Sequence, residues 1–141
     1  MAANTAPIYS RLGSIQWAPD VVKTANTAKD GTGTVATIFT ADGTNGGRVE
    51  RIVCRAAGSN VATVLRIFVN NGSDNTVAAN NCLISELTLP ATTLSETAQL
   101  LDQTLSASPF PIVLPPGYKL NVTVGTTVAA GYYVSAHGGA Y

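Results

Sequence analysis

Apolar and polar positions alternate along most of this chain with a period of two, the pattern of strands that bury one face and wet the other. The cleanest case is Tyr118 to Val124, where Leu120, Val122 and Val124 alternate with Lys119, Asn121 and Thr123. In Arg51 to Ala56, Ile52, Cys54 and Ala56 share one face and both arginines the other. Leu65, Ile67 and Val69 stand opposite Arg66. Leu83, Ser85, Leu87 and Leu89 alternate with Ile84, Glu86 and Thr88, and Tyr132, Val134 and Ala136 with Tyr133, Ser135 and His137. Thr34 to Phe39 is a β-branched run bounded by Asp30-Gly31-Thr32-Gly33 and Asp42-Gly43. Between these segments lie Asn45-Gly46-Gly47, Asn71-Gly72-Ser73-Asp74, Pro115-Pro116-Gly117 and Ala130-Gly131, which supply the dihedrals of tight turns.

Short strands near Ser14–Ala18 and Phe110–Leu114 bring the expected total to about eight, which in roughly 120 residues fits an all-β, jelly-roll-like antiparallel β-sandwich. One segment is ambiguous. Leu94, Ala98, Leu101 and Leu105 fall at helical spacing, and the same stretch also reads as strand plus loop. The first residues differ from the rest: polar, small and Pro-containing, yet carrying Ile8 and Tyr9. The sequence therefore divides into an extended N-terminal arm, residues 1–10, and one sandwich domain, 11–141. The arm reads either as a frayed terminus or as a segment that orders on a neighbouring subunit.

Charge narrows the functional classes. Only 11% of the 141 residues are charged, and eight basic residues balance eight acidic ones. Nucleic-acid affinity rests on clustered Lys and Arg, so no nucleic-acid partner is expected. No run approaches the ~18 apolar residues of a membrane span, and no membrane partner is expected either. Met1 to Pro7 lacks the basic and apolar regions of a secretory signal. Synthesis in a cytoplasm then makes Cys54 and Cys82 free thiols unless neighbouring strands bring them together.

Candidate chemistry is sparse. A nucleophilic triad would need His137, the sole histidine, as its base. It sits beside Gly138-Gly139 on the outward phase of the last strand and reads as structural. Cys54 and Cys82 are too isolated from each other and from His137 for a zinc site. Asp30-Gly31-Thr32-Gly33 lacks the lysine and following helix of a phosphate loop and the repeated acids of a calcium loop, and reads as a turn. The expectation is no catalytic residues, no cofactor and no metal.

The arginines carry more information. Arg48, Arg51 and Arg55 lie on or beside one outward face, with Arg66 on the next strand. They form either a solvated face balanced by Glu50 or an inter-subunit surface of bidentate ion pairs. With Ile8, Tyr9 and Trp17, these arginines are the candidate interface. Trp17, Tyr9 and Tyr133 are the aromatic candidates for a sugar site.

Several of these segments together resemble a family of small virion structural proteins of tailed bacteriophages and prophages. They are Thr24-Ala25-Asn26-Thr27 leading into Asp30 to Thr34, the stretch Arg48 to Arg55, Arg66 to Gly72, Leu114 to Leu120, and the Gly138-Gly139 ending. The resemblance spans most of residues 24–141 and departs from the family pattern between Asp74 and Ser108. It implies a non-enzymatic β-sandwich made in the host bacterial cytoplasm and located on the virion. The implied role is a capsid decoration or cement protein that binds the major capsid protein on the capsid surface and bridges capsomers. Low net charge, few charged residues and an arm carrying Ile8 and Tyr9 point to subunits that meet each other, with a trimer the expected oligomer. The alternative is a neck, tail or fibre component that binds a partner protein or a host glycan.

Overall fold

The computed structural model describes residues 10–141, so Ile8, Tyr9 and all but the last residue of the expected arm lie outside the described residues. Nine strands follow: β1 (Leu12–Trp17), β2 (Ala36–Thr40), β3 (Gly47–Ala56), β4 (Thr63–Asn70), β5 (Asn81–Leu89), β6 (Asp102–Leu105), β7 (Ile112–Leu114), β8 (Lys119–Val124) and β9 (Tyr132–Ala140). A single 3-10 turn at Ala78–Asn80 is the only helical element among the described residues.

The strands form two antiparallel sheets. The front sheet runs β1-β9-β3-β6, with β7 pairing β3 further along, and the back sheet runs β2-β8-β4-β5. The pairings nest: β1 with β9, β2 with β8, β3 with β6 and β7, β4 with β5. A long antiparallel ribbon rolled over on itself gives this order, the jelly roll. The ninth strand is β6, which takes the ambiguous Leu94–Leu105 stretch as loop plus strand. There Gln103 and Leu105 turn partly inward and Asp102 and Thr104 outward.

The inward phases meet between the sheets. Ile52 and Cys54 of the front sheet face Leu65, Ile67, Leu120, Val122 and Val124 of the back sheet, all fully buried. Each aliphatic side chain taken wholly from water contributes about 1.5–3 kcal/mol. The Gly138-Gly139 ending has a steric cause. Strand β9 is clasped between β1 and β3, and a Cβ on Gly138 would overlap the Arg48 carbonyl, one on Gly139 the Leu12 carbonyl.

A bulge between Val49 and Arg51 in β3 places Arg48 opposite Gly139 and Arg51 opposite His137. Two arginines three residues apart thereby share one face. Arg66 does not join them. In a jelly roll the strand after β3 belongs to the other sheet, so Arg66 stands on the outer side of the back sheet, where its Nε donates to Glu86 Oε1 at 3.0 Å.

That outer side is closed by the chain itself. Phe68 pairs with Asn121, and Arg66 with Thr123, on the phase pointing away from the core, yet Phe68, Asn121 and Thr123 are buried. The long β1–β2 and β4–β5 connections cover them. Arg66 Nη1 donates to the Asn26 carbonyl at 3.4 Å. Asn75 Nδ2 donates to the carbonyls of Gly31 and Gly33, at 3.2 and 2.9 Å, and Asn81 Nδ2 donates to the Asn75 carbonyl at 2.8 Å. Gly31, with φ of 79°, lies so close to Asn81 that an added Cβ would come within 2.6 Å of that residue's Cβ.

Candidate functional site

Among the described residues, the outer face of the front sheet has no such cover. Its register sets three rows of outward side chains across the strands. Ile15, His137 and Arg51 form one row; Trp17, Ser135, Val53 and Thr104 the next; Tyr133, Arg55 and Asp102 the third. Together they line a shallow groove of about 530 Å³. Trp17, Tyr133 and Ile15 remain 66%, 63% and 59% exposed, unusual for three large apolar side chains on neighbouring strands. Val113 of β7, opposite Arg48, extends the apolar surface along the same face.

The charges of this face are unevenly matched. Arg55 Nε donates to Asp102 Oδ2 at 3.1 Å, and Arg48 pairs with Glu50 at the bulge. Arg51 has no ion-pair partner among the described residues. His137 Nε2 lies 3.1 Å from Ser135 Oγ. Burial, and then the positive charges of Arg51 and Arg55, hold the imidazole below its ordinary value, so it is neutral at pH 7.

These groups do not assemble a hydrolytic site. Ser135 and His137 are adjacent, but the residue across from His137 is Arg51, a cation that opposes the imidazolium a general base must become. Asp102 sits two rows away, engaged with Arg55. The other sequence candidates resolve as structure. Asp30 Oδ1 accepts from Thr32 N at 3.0 Å and Thr32 Oγ1 at 2.6 Å, bonds that lower the carboxyl below its usual range and close the Asp30–Gly33 turn. Cys54 is buried in the core, its thiol pushed up to about 12 chiefly by desolvation, while Cys82 is exposed; both are free. Among the described residues no three His, Cys, Asp or Glu side chains group as metal ligands, and no helix is long and apolar enough to cross a membrane.

Of the interface residues expected from sequence, Trp17, Arg51 and Arg55 share the groove, Arg48 lies further along the same face, and Arg66 belongs to the opposite side. Tyr133, expected as a sugar-stacking aromatic, stands in the groove beside Arg55. Ile15 was readable from its i, i+2 relation to Trp17. Asp102 carried no local signal, because only the pairing of β6 with β3 brings it to Arg55. No protein-family model, no curated protein and no solved structure matches the chain.

Proposed function

We propose that the chain is a non-enzymatic structural protein of a bacteriophage virion, a decoration protein that binds the major capsid protein as a homo-oligomer and bridges neighbouring capsomers. The observation that supports the binding part is the front face, with exposed Trp17, Tyr133 and Ile15 around Arg51. The sequence resemblance over most of residues 24–141, outside Asp74 to Ser108, supports the place on a virion. A nearly uncharged polypeptide with balanced sign has little self-repulsion, which suits close packing in a symmetric shell. Bridging subunits stabilise that shell by binding its assembled form, and multivalent attachment raises occupancy beyond any single contact.

The test is cryo-electron microscopy of particles with and without the protein, paired with light scattering of the purified chain. Density between capsomers, and a solution mass that is a multiple of 14.5 kDa, are the expected results. Density confined to the neck or tail sinks the decoration reading in favour of a neck, tail or fibre component. The exposed aromatic side chains of the front face are the observation that favours this second reading, since a component that meets the host needs an open recognition surface. A strictly monomeric chain without particle binding sinks both.

A further inference from the structure

From the front-face groove we infer a carbohydrate site, selective for sugars that carry a carboxylate, with Trp17 and Tyr133 as the stacking platform and Arg51 as the anion anchor. It rests on the reading of this face as a recognition surface and holds for any position on the particle. Three properties of the groove converge on this ligand class.

The first is the pair of exposed rings. Trp17 stands opposite Ser135, and Tyr133 is two residues along the same strand, so the rings are diagonal cross-strand neighbours, within reach of one ligand. An aromatic face held in water with its partner side missing is matched by the C–H face of a pyranose, which is apolar on one side and hydroxylated at the rim. The rim has its counterparts too: Ser135 and Thr104 lie in the row of Trp17, and hydroxyls both donate and accept.

The second is charge. The groove holds two guanidiniums and one carboxylate, and that carboxylate, Asp102, is already bonded to Arg55. Arg51 is exposed and has no ion pair among the described residues, and its fork of donors suits bidentate capture of a carboxylate.

The third is the backbone. The floor of the groove is β9 and the Ile52–Arg55 stretch of β3, which are paired on both sides, so their N–H and C=O groups are committed to ladders, while the edge strands β1 and β6 bound it. An extended peptide recognises a sheet through an open edge, and the floor of this groove offers none. One or two linked sugars need only side chains and fit a depression of this size.

Trp17 is the sole tryptophan, so its fluorescence reports on this groove alone. The full chain is titrated with tetragalacturonate, with its methyl ester, with sialyllactose, with a glucuronate-containing tetrasaccharide and with tetraglutamate. At least one acidic sugar is expected to give a saturable change in emission. The methyl ester, and the acidic sugar on Arg51→Ala, are expected to bind on the order of tenfold more weakly. Calorimetry, which does not need the indole, is expected to show a similar loss for Trp17→Ala, while Lys29→Ala, which removes an exposed charge far from the groove, binds as the parent does. Circular dichroism confirms that each variant is folded. The inference falls if no acidic sugar changes the emission, if ester and acid bind alike, if tetraglutamate matches the sugars, or if Trp17→Ala and Arg51→Ala bind normally. Particle occupancy of Trp17→Ala is read separately. Occupancy lost together with absent sugar binding makes the groove a protein contact, overturning this inference and leaving the virion reading intact.

Discussion

The two outer faces of the sandwich are built from the same kind of strand and end in opposite states. On the back, the outward Phe68 and Asn121 are buried, because the chain lays two of its own connections across them. On the front, outward Trp17 and Tyr133 are left mostly in solvent. The side that could have been left wet is covered, and the side holding the aromatics is not. Covering a face costs the ordering entropy of the covering segment. Here that cost is met by asparagine amides bonded to loop carbonyls. Among the described residues the front carries no such network, and its mostly exposed aromatics contribute little to the fold itself.

Side-chain truncation is the strongest way to break this contrast. Phe68→Ala is expected to lower stability by about 3–5 kcal/mol, and Trp17→Ala by no more than about 0.5 kcal/mol. Urea denaturation followed by circular dichroism measures both, and equal losses would erase the distinction between the faces. A middle-sized effect tests the cover. Asn75→Ala, which removes the two bonds to Gly31 and Gly33, is expected to cost about 1–2 kcal/mol and to speed amide exchange in residues 26–35. Arg55→Ala, which breaks a pair whose arginine is 65% exposed, is expected to cost less than about 1 kcal/mol. A ranking with Arg55→Ala above Asn75→Ala would contradict the account of which side is held.

The smallest effect is in pH. The folded chain holds His137 below its ordinary 6.5, so the unfolded chain takes up the proton first. Stability is therefore expected to decline as pH falls below about 6.5, flattening once the folded value is passed. His137→Gln should remove that slope. Asp30 and Asp74, in the covering loops, are held below the ordinary 3.8 by bonds from Thr32 and Thr76. Their contribution is present above about pH 3.8 and is lost as pH falls through the lower folded values. The two faces thus respond in separate pH windows, readable as melting temperature against pH for parent and variant.

Sequence reasoning reaches the faces unequally. Period two identifies Leu120, Val122 and Val124 as inward and Arg51 and Arg55 as outward, since strand phase is a local property. It also sets Val69 inward, where it packs against the core. It leaves Asn121 and Thr123 as wet positions, because their burial depends on the β1–β2 and β4–β5 connections, both distant in the chain. It sets Ile84 outward, whereas Ile84 packs against the core at the point where the β4–β5 register shifts by one residue. Proximity in sequence suggests that Arg66 accompanies Arg55, and the rolled topology sends consecutive strands β3 and β4 to different sheets. The groove was half legible: the i, i+2 placement of Ile15 and Trp17, and of Tyr133, Ser135 and His137, is visible in the sequence. Their meeting with Arg51 and Asp102 depends on which strands become neighbours.

The nested pairing also sets an order in time. Strands β4 and β5 are separated by ten residues, whereas β1 and β9 join the two ends of the described chain. Loop-closure entropy favours pairing from the inside of the nest outward, and long-range pairings of this kind fold slowly. Strand β1, which brings Ile15 and Trp17, is then the last to dock. In a refolding experiment the indole signal is expected to lag behind the appearance of sheet. The front-face groove would be finished only in molecules whose folding is complete, so incomplete chains would lack it.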